Sequence, residues 1–240
     1  MVSVWNIKEI ELSDSMRTSI DSYFRARSDL QRQYASVGLM NHIKKYLINL
    51  ENEEKESLKN GRGYYYPSKG SGKPLLDGIK QIYFKEIPIF LYGFSGGAHF
   101  VARFAEWVPD RVAGFCAYSA AWWDDPKSLK NAPLGIIACG ENDERLGASL
   151  SYFLDGRKLN KKWVWVKIPD IGHSRSAKLE SFVRDFFKCI IYKAAQNDVW
   201  VDITNGETVF SNTSNLKTAL TCHLPDKKLI ITWKELNGIK

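Results

Sequence analysis

Between residues 87 and about 190, short apolar runs alternate with longer segments of helical spacing. The runs are rich in β-branched and aromatic residues, which favours strands. Such alternation predicts an α/β protein with a mostly parallel sheet and helices on both faces. Ligands bind such sheets at the carboxyl ends of the strands, so residues just after each run are the first site candidates. The predicted strands are IPIFLY at 87–92, VAGFCAYS at 112–119, LGIIACG at 134–140 and WVWVKI at 163–168.

The first run ends in the segment GFSGG, residues 93–97, directly before a helical pattern. This G-x-S-x-G match has a strand before it and a helix after it, the context in which the motif forms a nucleophile elbow. Its glycines let strand and helix approach closely around a strained turn. The sequence therefore predicts Ser95 as a nucleophile and the backbone N–H of Gly96 as an oxyanion donor. The alternative is a glycine-rich turn that only joins strand to helix.

A serine hydroxyl is a weak nucleophile, so it needs a base within reach and a carboxylate that orients the base. Asp143 follows the third predicted strand, and Glu141 and Asp155 compete with it for the carboxylate role. Asp143 is favoured over Glu141 because a turn after the strand carries it back across the strand ends. A carboxylate that only caps the next helix is the alternative.

The base is expected on the loop after the fourth predicted strand, where His173 lies. His42 lies in the N-terminal region, His223 near the C-terminus, and His99 four residues after the serine in the same predicted helix. A histidine is often structural, but the chain order Ser, Asp, His, with each residue after a strand, is a known order of catalytic triads. The pattern therefore predicts His173 as the general base.

Residues 87 to about 190 resemble the C-terminal half of an α/β-hydrolase. Within that superfamily, the segment LYGFSGGAHFVARFAEWVPDRVAGFCAYSAAWW at 91–123 is similar to a group that includes polyhydroxybutyrate depolymerases and feruloyl esterases. The resemblance covers a little under half of the chain, and its motifs are specific to the fold and not to a substrate.

The resemblance also implies residue roles. Phe94, Trp122 and Trp123 would bind substrate, the two tryptophans by lining the acyl or alcohol pocket. Hydrophobic packing under their loop is the alternative for the tryptophans. The implied triad is Ser95 as nucleophile, Asp143 as acid and His173 as base.

The chain departs from the superfamily in one respect. α/β-Hydrolases usually supply a second oxyanion donor from a loop marked by His-Gly, and this sequence contains no His-Gly pair. Loss of one donor costs on the order of 10²–10³ in rate. Three explanations are open: another backbone amide serves, the chain is shortened at its N-terminus, or the fold is kept without catalysis. A hydroxyl from the loop of Tyr64, Tyr65 and Tyr66 is a further candidate donor.

The two ends of the chain differ in pattern from its middle. The first 80 residues are atypical and predict a helix at 15–38 and a loop at 59–74. Near the C-terminus, VWVDITNGETVF at 199–210 predicts two short strands about an Asn-Gly turn, and KLIITWKEL at 228–236 predicts another strand. We therefore expect an α/β-hydrolase domain followed by a small β appendage packed on it. The expected domains are 1–196 and 197–240.

Composition excludes several classes of protein. The chain of 240 residues is 44% hydrophobic and 25% charged, as in ordinary globular proteins. Its net charge is +7, but lysines and acids are interleaved, which argues against a nucleic-acid partner. The four cysteines form no CxxC pair, so no metal site is predicted.

The sequence also contains no predicted membrane segment. No window approaches the roughly 20 apolar residues of a membrane span. Acidic residues stand near the N-terminus where a signal peptide has an apolar core. We therefore expect a cytoplasmic protein that does not bind a membrane.

These patterns predict a serine hydrolase that cleaves a small-molecule carboxylic ester through an acyl-enzyme. Such chemistry requires no metal and no organic cofactor. A catalytically silent binding protein on the same fold and a serine peptidase are the alternatives. The sequence specifies neither the acyl and alcohol groups of the substrate nor the oligomeric state.

Overall fold

Four parallel strands form most of the main sheet of the structure, which is a computed structural model. The structure describes residues 2–6, 65–69, 72–192, 197–209 and 219–239.

Contacts divide the chain into two compact units, one of residues 1–4 and 89–240 and the other of residues 5–88. In the second unit, the described elements are a short 3-10 helix, Pro67–Lys69, and helix α1, Gly72–Tyr83. The predicted helix at 15–38, half of the predicted loop at 59–74, Tyr64 and His42 lie outside the described residues. In the described half of that loop, the short 3-10 helix and the start of α1 replace the expected irregular structure.

Five strands lie side by side in chain order in the main sheet, and the last four are parallel. Almost every residue of those four strands is buried. Burial on both faces explains why these segments are nearly continuous apolar runs instead of alternating ones. The prediction of a parallel sheet flanked by helices is confirmed. The strands are β1 (Val2–Asn6), β2 (Ile89–Phe94), β3 (Val112–Tyr118), β4 (Leu134–Gly140) and β5 (Trp163–Ile168).

The larger unit contains four described α-helices of nine or more residues, a short 3-10 helix, Pro109–Arg111, and a second, three-stranded antiparallel sheet. No helix among the described residues combines the length and the apolar character needed to cross a membrane. The helices are α2 (Gly96–Trp107), α3 (Leu146–Lys158), α4 (Ala177–Ile191) and α5 (Leu229–Asn237), and the strands are β6 (Val199–Asp202), β7 (Thr208–Val209) and β8 (Thr221–Leu224).

Helices cover both faces of the main sheet. A Cβ at Gly114 of β3 would lie 3.3 Å from the ring of Phe187 on α4. Phe115, the next residue, points to the opposite face, where its ring meets that of Trp163 edge-on at 6.0 Å. Trp163 in turn packs against Gly156 of α3, where a Cβ would lie only 2.0 Å from the indole. Helices α3 and α4 therefore lie on opposite faces.

The register of the strands brings their carboxyl ends to one edge. Phe94, the last residue of β2, is level with Tyr118 at the end of β3, and Tyr118 is level with Ala138 of β4. Gly140 at the end of β4 is level with Ile168 at the end of β5. The turns after β2, β4 and β5 therefore leave the sheet at the same edge.

The predicted strand at 228–236 is wrong, because this segment forms helix α5. Trp233 and Leu236 are buried, whereas Ile231 is 70% exposed, which is the spacing of an amphipathic helix. Gly238 ends the helix in the left-handed conformation, with φ 67°. The β-branched residues of this segment predicted a strand, but burial of every third or fourth side chain is the pattern of a helix.

The predicted pair of strands about the Asn-Gly turn is present as β6 and β7, and β8, which the sequence did not predict, pairs with the other side of β6. Arg157 of α3 is buried against this second sheet. Its Nε donates to the carbonyl of Thr221 at 2.7 Å, and its guanidinium lies 4.2 Å from the centre of the Trp200 ring. The second sheet thus shares buried contacts with the main sheet's helices. The predicted domain boundary at 196/197 stays a prediction.

Replacing Trp233 by alanine should lower the free energy of unfolding by about 3–5 kcal/mol. The indole is fully buried, and its Nε1 donates to the carbonyl of Trp165 at 2.8 Å. Ile231→Ala is the matched control and should change stability by less than about 0.5 kcal/mol. Urea unfolding followed by circular dichroism measures both. A strand would place both side chains on one face, so similar losses in the two variants would contradict the helix.

Candidate active site

Ser95 occupies the turn between β2 and α2. Its φ of 55° and ψ of −120° are values that residues other than glycine rarely adopt. Its N–H donates to the carbonyl of Tyr118 at 2.9 Å, which ties the turn to the end of β3. A Cβ at Gly93 would lie 2.2 Å from the carbonyl oxygen of Gly97, so only glycine permits this approach of strand and helix.

Asp143 lies between β4 and α3, and its side chain has no exposed surface. Its Oδ1 accepts from the backbone N–H and from Nη1 of Arg145, both at 3.1 Å. Burial alone would raise the pKa of Asp143, but hydrogen bonds from His173, Arg145 and the Ser119 hydroxyl outweigh it and lower the pKa to about 2. The carboxylate is therefore ionised at neutral pH.

His173 lies between the other two predicted triad members. Its Nδ1 is 2.8 Å from Oδ2 of Asp143, and its Nε2 is 3.0 Å from Oγ of Ser95. An ionised carboxylate only accepts hydrogen bonds, so Nδ1 carries the proton and Nε2 of the neutral ring can accept from the serine hydroxyl. The ring of Phe94 stacks on the imidazole at 4.8 Å and 26°.

Backbone hydrogen bonds hold the loops after β4 and β5 together. The N–H of Asn142 donates to the carbonyl of Ile171, and the N–H of Glu141 donates to that of Ile168, both at 2.8 Å. A Cβ at Gly140 would lie 2.3 Å from the carbonyl oxygen of Ile171. Glycine at position 140 is therefore needed for the two loops to approach this closely.

The alternative acids and bases that the sequence offered have other partners. His99, on α2, accepts at Nε2 from the backbone N–H of Ala121 at 3.1 Å. Burial, assisted by the Arg103 charge, lowers the pKa of His99 to about 4, so the ring is neutral. The remaining pairs are Glu141 with Lys167, Asp155 with Lys158, and His223 with Asp198.

The loop between β3 and β4 is attached along the length of α2. Four polar side chains at helical spacing, on α2 and the turn after it, each bond to a successive point of this loop. His99 and Arg103 are the first two of the four. The bonded pairs are His99 with Ala121, Arg103 with Asp124, Glu106 with Lys127 and Asp110 with Asn131.

The tryptophans of this loop differ in their contacts. Trp122 is 41% exposed and lies 4.0 Å from the His99 ring. Trp123 stacks on Tyr152 at 4.3 Å and donates from Nε1 to Oγ of Ser149 at 3.3 Å. Both line a cavity of about 10 Å³ whose lining includes no member of the predicted triad. A role of either tryptophan, or of Phe94, in substrate binding stays a prediction.

Three residues at this site escaped the sequence reasoning. Arg145 bonds to the Asp143 carboxylate, the Ser119 hydroxyl helps to lower the pKa of that carboxylate, and the Tyr118 hydroxyl donates to the carbonyl of Ser174, next to the histidine. Tyr118 and Ser119 end the second predicted strand, so their position at a strand end could have identified them as site candidates. A basic residue two positions after an acid gives no comparable signal.

Comparison of the chain with protein-family models, with curated proteins and with solved structures found no match. Among the residues that the structure describes, no group of three or more His, Cys, Asp and Glu side chains could hold a metal ion. The likeness to α/β-hydrolases thus stays an expectation from the motifs.

The contribution of Asp143 to stability should depend on pH. Its pKa of about 2 in the folded chain lies below the roughly 3.9 of an unfolded aspartate. The contribution is therefore complete above about pH 4 and is lost as the pH falls towards 2. We expect the difference in unfolding free energy between the wild-type chain and Asp143→Asn to be largest near neutral pH and to shrink below about pH 4. Urea unfolding across this range measures it, and a difference independent of pH would contradict the assignment.

Proposed function

We propose that the chain is a serine hydrolase of the α/β-hydrolase type that cleaves carboxylic esters. One observation carries the proposal: a single imidazole lies 3.0 Å from the Ser95 hydroxyl and 2.8 Å from the buried Asp143 carboxylate. This geometry allows the imidazole to take the hydroxyl proton and the carboxylate to stabilise the resulting charge.

In the acylation step, Ser95 Oγ attacks the ester carbonyl carbon while its proton moves to Nε2 of His173. The tetrahedral oxyanion accepts a hydrogen bond from the N–H of Gly96, the first residue of α2, because the first N–H groups of a helix have no acceptor within it. The C–O bond of the ester then breaks. The alcohol leaves with the proton from His173, and the acyl group remains on Ser95.

Deacylation repeats these steps with water as the nucleophile. His173 takes a proton from the water, whose oxygen attacks the acyl carbonyl, and the Ser95 oxygen then leaves with the proton from His173. Asp143 stays ionised throughout and fixes the imidazole tautomer and orientation. The products are a carboxylic acid and the free serine.

The order of elements supports the α/β-hydrolase type. In that fold, the nucleophile lies at a strand-to-helix turn and is followed along the chain by the acid and then the histidine, each after a later strand. Here Ser95 follows β2, Asp143 follows β4 and His173 follows β5. A silent binding protein would have no use for the left-handed Ser95, since such backbone strain costs of order 1–3 kcal/mol.

Ser95→Ala should abolish labelling by a fluorophosphonate probe and should lower kcat/KM for para-nitrophenyl butyrate at least about 10³-fold, because it removes the nucleophilic oxygen. Ser151→Ala is the matched control on the exposed side of α3 and should leave both unchanged. Intact-protein mass spectrometry measures labelling, and nitrophenolate absorbance measures the rate.

Each other outcome has a distinct meaning. Labelling that persists in Ser95→Ala would contradict the assigned nucleophile. No labelling of the wild-type chain by several probes would favour the non-catalytic binding protein. Hydrolysis of a matched anilide with a kcat/KM comparable to that of the ester would make the protein a peptidase.

A further inference from the structure

Arg145 holds the oxygen of Asp143 that does not face the histidine. The backbone N–H and Nη1 of Arg145 both lie 3.1 Å from Oδ1, whereas Oδ2 accepts from Nδ1 of His173 at 2.8 Å. The carboxylate cannot rotate about its Cβ–Cγ bond without breaking these hydrogen bonds. The rotation that points Oδ2 at the imidazole is therefore fixed from the opposite side.

The guanidinium also acts through its charge. It stabilises the ionised carboxylate, and it opposes a second positive charge on the neighbouring imidazole. A triad carboxylate that is already paired with a cation stabilises an imidazolium less than an unpaired one does. Arg145 thus has two separable effects on His173, one through the orientation of Asp143 and one through electrostatics.

Few other groups around Asp143 can change charge. Tyr118 and Cys139, at the ends of β3 and β4, face it, and burial raises the pKa of both, so they are neutral near neutral pH. Glu144 shares Nη1 of Arg145 at 3.1 Å, but its side chain is 81% exposed and water screens it. Among the described residues, Arg145 is the one permanently charged cation that bonds to Asp143, since His173 carries a charge only when it is protonated.

We propose that Arg145 is a positioning residue of this site, which fixes the rotation of the Asp143 carboxylate and sets the pH above which His173 acts as a base. Its effect on rate rests on the proposed serine hydrolase function. Its effect on the protonation of His173 does not, and it can be measured without a substrate.

The test compares two Arg145 variants with one control. Arg145→Gln removes the charge and keeps a hydrogen-bond donor, whereas Arg145→Lys keeps the charge and loses the planar guanidinium. Lys158→Gln removes an equal charge from the other end of α3, where the side chain is 67% exposed. NMR titration of the His173 ring, assigned with His173→Asn, and the pH dependence of para-nitrophenyl butyrate hydrolysis are the two measurements.

In Arg145→Gln, we expect the titration midpoint of His173 to rise by about half to one pH unit, because a nearby positive charge is lost. The acid limb of the pH–rate profile should move with it, and kcat on the plateau should fall about tenfold, because the shorter amide side chain does not reach Oδ1 and only the backbone N–H still holds that oxygen. Arg145→Lys should keep the wild-type midpoint and lose only kcat. Lys158→Gln should change neither.

A midpoint that does not move in Arg145→Gln overturns the electrostatic part of the proposal, and a wild-type kcat in Arg145→Lys overturns the positioning part. Should Arg145→Gln fail to fold, as judged by circular dichroism, Arg145→Met, which also removes the charge, takes its place in the titration. A wild-type chain without esterase activity would count against the serine hydrolase, while the NMR titration would still decide on the electrostatic effect of Arg145.

Discussion

A buried negative charge is the constraint on which the whole edge of the sheet depends. Burial of an unpaired carboxylate costs several kcal/mol, and the Asp143 side chain has no exposed surface. The groups that lower its pKa are His173, Ser119 and Arg145. Ser119 and His173 follow β3 and β5, the strands on either side of β4, and Arg145 lies in the turn of Asp143 itself. The alignment of the strand ends that forms the site therefore also supplies the hydrogen bonds that this buried carboxylate needs.

The site also requires backbone segments to approach each other closely, and glycines make this possible. At Gly93 and Gly140, a Cβ would lie within 2.3 Å of a carbonyl oxygen, so strand meets helix and loop meets loop only where the side chain is absent. Ser95 takes the strained conformation between β2 and α2. The strain at the serine opposes folding locally, whereas the hydrogen bonds to the Asp143 carboxylate outweigh the cost of burying it. Packing of the buried strands offsets the strain, so a stable core and the site geometry are linked.

The alternation of apolar runs with segments of helical spacing was enough to predict the repeating strand–helix part of the fold. The apolar runs predicted β2 to β5, and residues just after three of them are the ones that meet at the sheet edge. The sequence pattern gave the wrong prediction at α5. Its β-branched residues are typical of a strand, and only the burial of the side chains distinguishes the helix from a strand there. The pattern also missed Arg145, because its importance comes from a contact with Oδ1 of Asp143, which no spacing rule encodes.

Asp143 orients the His173 ring so that Nε2 faces the serine. Nitrogen-15 NMR of the wild-type chain at a pH where the ring is neutral tests this directly, because the two ring nitrogens have distinct signals when only one is protonated. We expect the proton on Nδ1 and an unprotonated Nε2. A proton on Nε2, or the rapidly exchanging mixture of a free imidazole, would contradict the claim.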